Sequence, residues 1–145
     1  MTTEAVVDSN VLFGFRSRSD RWHGPAHAIV SGMDAGELPR GQITNYTLPA
    51  VVNPILKAAG YGHALETVDF LNESAGFRIR HLAQDDFASG LALFRRTPGV
   101  ELTETITVAY MRRTGLDYVY SFDDDFDRFD DVTGLDSALN PFDPN

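Results

Sequence analysis

The stretch EAVVDSNVLFGF, residues 4–15, decides how the rest of the chain is read. It opens with a short β-branched, apolar run that stops at Asp8. This spacing predicts a buried strand over Glu4–Val7, followed by a turn. In open α/β sheets, ligands bind just beyond the carboxyl ends of the strands, so Asp8 is a candidate site residue. The same device recurs near the other end of the chain. YVYSFDDDFDRFDD, residues 118–131, carries six aspartates among fourteen residues, directly behind a short apolar run. Residues 117–122, DYVYSF, predict the last clear buried strand, with Asp123 at its end. If the two strands are neighbours, Asp8 and Asp123 converge. Two like charges a few ångströms apart are costly unless a cation sits between them.

Between these ends, helical and strand patterns alternate. Ser19 or Asp20 is placed to cap a helix carrying Trp22, Ala26, Ile29, Val30 and Met33 at helical spacing. A short strand follows at Gln42–Thr44. The next helix has Pro49 in its first turn, where proline is tolerated, and Pro54 at a position that predicts a kink. Residues 63–76 resume as a helix ending at Gly76. FRIRHL (77–82) alternates as a strand, and residues 83–96 are helical up to Pro98–Gly99. ELTETITVAYMRRTG (101–115) is a further helix closed by Gly115. One short edge strand fits after Asp131. Such alternation predicts an α/β fold with a parallel or mostly parallel sheet. The length is that of one domain spanning residues 1–145, with a short polar tail from about residue 137.

Composition narrows the function. The formal net charge is −9, which argues against binding nucleic acid or an anionic membrane through a basic surface alone. Eleven of the twelve basic residues are Arg, leaving only Lys57, and most acids are Asp. A Lys-poor, Asp-rich surface is expected of a protein adapted to high salt, because molar salt shortens the Debye length to roughly 3 Å. The absence of cysteine excludes disulfides and thiolate metal sites. The N-terminus lacks a basic n-region, and no apolar run approaches the roughly 18–20 residues of a membrane span. A cytoplasmic protein is the expectation.

Carboxylate oxygens suit hard cations such as Mg²⁺ and Mn²⁺. Besides Asp8 and Asp123, Asp125 and Glu104 are candidate ligands, Glu104 because it lies early in the 101–115 helix, near the sheet. Each has a simpler reading. Asp8 suits a helix cap or turn, Glu104 and Glu101 suit a helix dipole, and the Asp run suits a solvated loop. His23 and His27 share a helix face at i, i+4 but lack an evident third ligand, which favours surface histidines.

Together, VVDSNVL, TNYTLPAVVN, LTETITVAYMRR and YSFDDDF, in that order across residues 4 to 140, resemble the PIN domain of VapC-type toxins. The resemblance implies a three-layer α/β/α sandwich and a ribonuclease whose three or four acids hold Mg²⁺ or Mn²⁺. Matched position by position, Asp8 is the first acid, with Ser9 supporting it. Glu104 is the third, where the family more often has Asp, and Asp123 or Asp125 is the fourth. The second acid is missing: Ala50 stands where the family has Glu, and no acid lies between Glu37 and Glu66. Asn53, one turn on, is a neutral substitute donor. The family further implies an RNA substrate, an antitoxin protein partner and a homodimer. With the acidic composition, it points to a halophilic archaeal source. Arg112 and Arg113 are candidate phosphate contacts, although an exposed basic last turn fits them equally. The alternative function is a non-catalytic PIN-like module that binds protein or RNA. Trp22, Tyr46 and Phe13 are candidates to stack on bases, or to pack in the core.

Overall fold

The computed structural model describes residues 3–143. The elements run β1 (Glu4–Val7), α1 (Ser9–Arg16), α2 (His23–Asp34), β2 (Arg40–Thr44), α3 (Thr47–Ala59), α4 (Tyr61–Glu73), β3 (Phe77–Arg80), α5 (Gln84–Arg96), α6 (Leu102–Thr114), β4 (Tyr118–Tyr120) and β5 (Thr133–Leu135). A 3-10 turn at Asp124–Arg128 joins the last two strands. The five strands lie in the order β3-β2-β1-β4-β5, and every pairing is parallel. The expected α/β architecture with a parallel sheet is what the chain adopts.

Alternation along β1 separates two cores, because successive side chains of a strand point to opposite faces. Ala5 and Val7 join Ile43, Phe77 and Tyr120 under α1–α4, whereas Val6 joins Val119 under α5 and α6. The register agrees, with Val6 opposite Val119 and Val7 opposite Tyr120. The sheet is thus sandwiched between a four-helix layer and a two-helix layer.

Three local expectations change. The residues after Asp8 form a helix, not a bare turn, because Asp8 caps it: its Oδ1 accepts from the Ser9 N–H at 2.8 Å. Asp20 does not cap α2 directly. Its side chain accepts from the Trp22 N–H at 2.9 Å, making a turn, and the helix starts at His23. Helix α4 ends at Glu73, before Gly76. The segment after β5 is tied to the body. The Tyr120 hydroxyl donates to the Leu139 carbonyl at 2.6 Å, and Phe142 packs edge-on against Tyr118.

Candidate metal centre

The strand order creates the site. From β1 the chain moves one way to β2, whereas β4 lies on β1's other side, so the β1–β4 boundary is a topological switch point. A crevice opens there at the carboxyl ends of the strands. Asp8 leaves β1 into that crevice, with its N–H donating to the Tyr120 carbonyl at 2.9 Å. Ser121, Phe122 and Asp123 leave β4 into the same place. The two strands are neighbours, which is the condition for Asp8 and Asp123 to converge.

A small hydrogen-bond net fixes the first acid. Asp8 Oδ2 accepts from the Ser121 hydroxyl at 2.8 Å, and the Ser121 Oγ accepts from the Asp123 N–H at 3.1 Å. The Asn10 amide donates to the Ser121 Oγ at 3.1 Å, and its Oδ1 accepts from the Phe122 N–H at 3.2 Å. Asn10 and Ser121 therefore hold Asp8 and the β4 exit together, and sequence reasoning did not single them out for this. Both belong to short triplets, Asp-Ser-Asn and Ser-Phe-Asp, that in sequence look like any polar turn. Ser9 supports Asp8 through its backbone N–H.

Across the crevice, Glu104 sits in the first turn of α6, where Glu101 is the N-cap residue. One carboxylate oxygen from each of Glu104, Asp123 and Asp125 lies within 4.8 Å of the others. Sequence alone left Asp123 and Asp125 as alternatives, but the structure brings both to Glu104. Asp125 is turned inward because its N–H donates to Asp123 Oδ1 at 3.0 Å at the start of the 3-10 turn. Asp8 stands beside this trio and is linked to it through Ser121.

The electrostatics are those of a cluster short of positive charge. Glu104 is only 5% exposed, and its Oε2 finds no hydrogen-bond donor among the described residues. Burial, then the charges of Asp123, Asp125 and Asp8, push its pKa up to about 8. Asp8 is also raised, chiefly by burial, with the Ser121 and Ser9 hydrogen bonds opposing. Burial and the charges of Asp123 and Asp124 raise Asp125. A buried carboxyl gathered with two further carboxylates is an all-oxygen donor set that fits Mg²⁺ or Mn²⁺.

Ala50 and Asn53 are both exposed on α3; Ala50 lies in its first turn, which leaves the carboxyl end of β2, the strand beside β1. Arg112 and Arg113, the candidate phosphate contacts, are each paired with an acid. Arg112 pairs with Asp131 through two bonds of 2.8 and 3.2 Å, and Arg113 grips buried Asp86 at 2.7 and 2.9 Å. Both occupy the last turn of α6, about 12 Å along the helix from Glu104. The His23 ring nitrogen bonds the Gly14 carbonyl at 2.9 Å, and His27 lies against Phe15, so the pair serves packing.

No family model and no curated protein matches the chain. Solved structures do. VapC20 of Mycobacterium tuberculosis, a sarcin-ricin loop cleaving toxin, superposes with TM-score 0.75 at 20% identity, covering 94% of this chain and 99% of that one. A toxin–antitoxin complex from Klebsiella pneumoniae gives 0.66 at 20% identity, covering 94% and 98%. VapBC2 from Rickettsia felis, bound to a DNA fragment from its promoter, gives 0.67 at 7% identity, covering 91% and 97%. The fold is that of the VapC structures.

Proposed function

We propose that the chain is a divalent-metal-dependent ribonuclease, the toxin of a toxin–antitoxin pair, with a site weakened by Ala50. The observation that carries this reading is the buried Glu104 carboxyl, one oxygen of which lies within 4.8 Å of carboxylate oxygens of both Asp123 and Asp125. The proposed reaction is hydrolysis of an RNA phosphodiester: a water oxygen forms one bond to phosphorus, and the bond to the leaving oxygen breaks. Glu104, Asp123 and Asp125 would hold Mg²⁺ or Mn²⁺, with Asp8 completing the charge around it. Such an ion, when bound, supplies an acidified water and offsets charge on the phosphate oxygens. The chain's own residues do the positioning. Ser121 and Asn10 orient the Asp8 carboxylate, and the Asp123 side chain orders the turn that presents Asp125. At neutral pH an unloaded site keeps a proton on Glu104, which is released on loading.

Structured or unpaired RNA is the proposed substrate class, supported by the sarcin-ricin loop activity in the description of VapC20. An antitoxin protein is the proposed partner, supported by the Klebsiella complex and by VapBC2. We further propose a homodimer, a cytoplasmic location and adaptation to high salt in a halophilic archaeon. No helix among the described residues is long and apolar enough to cross a membrane. Ala50 favours a second reading, a non-catalytic PIN-like module that binds protein or RNA.

The test is Mn²⁺-dependent cleavage of a structured RNA at high salt by this chain and by Ala50→Glu. Ala50 is exposed, so a longer side chain is accommodated there. The expected result is weak cleavage by the chain and strong cleavage by the variant. Absence of both cleavage and metal binding in both proteins sinks the nuclease reading in favour of the binding module.

A further inference from the structure

Beside the acids lies an aromatic feature that metal holding does not use. Trp22 and Phe122 stack almost parallel, with ring centroids 4.8 Å apart and planes inclined by 7°. The guanidinium of Arg21 lies 4.8 Å from the centre of the same indole. Trp22 and Phe122 are only half-buried, and Arg21 is exposed. An open hollow of about 460 Å³ is lined by Asn10, Arg21, Trp22, Phe122, Asp123 and Asp124. The hollow therefore joins this stack directly to the metal centre.

The backbone places the two rings deliberately. Phe122 is the residue between Ser121 and Asp123, and its N–H is held by Asn10. Trp22 is set by the Asp20 turn before α2. A half-exposed indole braced from behind by a second ring is rigid and costs little to order. Phe122 stacks on the indole, and the guanidinium of the exposed Arg21 also lies over it.

We propose that Trp22, braced by Phe122, is a stacking shelf for one unpaired nucleobase of the RNA, next to the phosphate that meets Asp123. Arg21 slides off the indole as the base enters and places its charge on the adjoining phosphate. Every base offers a π-face, so the shelf selects unpaired nucleotides over helical ones without reading sequence. This also gives an acidic protein a local way to hold RNA that does not depend on net charge. The proposal deepens the ribonuclease reading and rests on it for the identity of the ligand.

Trp22 is the sole tryptophan, so its fluorescence reports the shelf alone. The experiment titrates the full chain with a short single-stranded RNA, with the same RNA carrying abasic sites, and with a blunt RNA duplex. Saturable quenching by the first and not by the others is expected. Binding of labelled RNA, followed by anisotropy, should weaken about tenfold in Trp22→Ala and recover in Trp22→Phe. Arg21→Ala, on the surface, should weaken binding with a shallower salt dependence. Equal quenching by the abasic strand, or Trp22→Phe binding no better than Trp22→Ala, overturns the shelf. Quenching without cleavage under any metal keeps the shelf and fails the nuclease. Cleavage whose KM is unchanged in Trp22→Ala keeps the nuclease and fails the shelf.

Discussion

At the scale of single residues, Glu104 bears the tension of the site. Its carboxyl is buried among other carboxylates with one oxygen undonated, a state that favours cation binding over stability. Its folded pKa of about 8 lies above the ordinary 4.5. The folded state thus binds more protons than the unfolded state between these values, and stability falls as pH rises. In a chelator, the melting temperature should drop from pH 5 to pH 8 and recover when Mn²⁺ is added at pH 8. Glu104→Gln should flatten that profile and stabilise the metal-free protein at pH 8, on the order of 2 kcal/mol. Unchanged pH dependence in the variant would place the titration elsewhere. Asp8, Asp123 and Glu104 stood out as candidates because the two aspartates follow strands and Glu104 opens a helix, with Asp125 left as the alternative to Asp123. Asn10 and Ser121 did not, because a supporting amide and hydroxyl look the same in sequence as any polar turn.

At the scale of elements, helix α6 carries both a site residue and a structural clamp. Its first turn delivers Glu104, and its last turn fastens α5 through Arg113 and the buried Asp86. Arg113→Ala should lower the melting temperature while leaving RNA affinity unchanged, as measured by thermal unfolding and anisotropy. Weaker RNA binding without loss of stability would restore the phosphate role that its place in a basic last turn suggests. The two helices meet at Gly90, where an added Cβ would come within 2.6 Å of the Ile106 Cα. Gly90→Ala should force α6 away and cost about 2 kcal/mol or more, read by denaturant unfolding. Helix α1 escaped the sequence reading because it has eight residues and includes Gly14, too short for periodicity to declare itself. Asp8 was read both as a site residue and as a cap or turn former, and it is the N-cap of this helix. The start of α2 slipped because Asp20 closes a turn before the helix begins.

At the scale of the whole molecule, two properties matter: strand order and charge. The parallel sheet was legible from alternating patterns, whereas the β1–β4 neighbourhood was only the condition for the two acids to converge, and the strand order supplies it. What the sequence did not reveal was how far the 3-10 turn folds Asp125 back, since that depends on one side-chain bond from Asp123. A net charge of −9 with a single lysine makes stability salt-dependent. The melting temperature should rise steadily from low salt to molar KCl, and a flat response would remove the high-salt reading. The central claim is that folding gathers Glu104, Asp123 and Asp125 around one cation beside Asp8. Anomalous diffraction from a crystal soaked in Mn²⁺ tests it most directly. The expected result is a peak about 2.1 Å from an oxygen of each of those three carboxylates. No peak there, or one whose ligands omit Glu104, would contradict it.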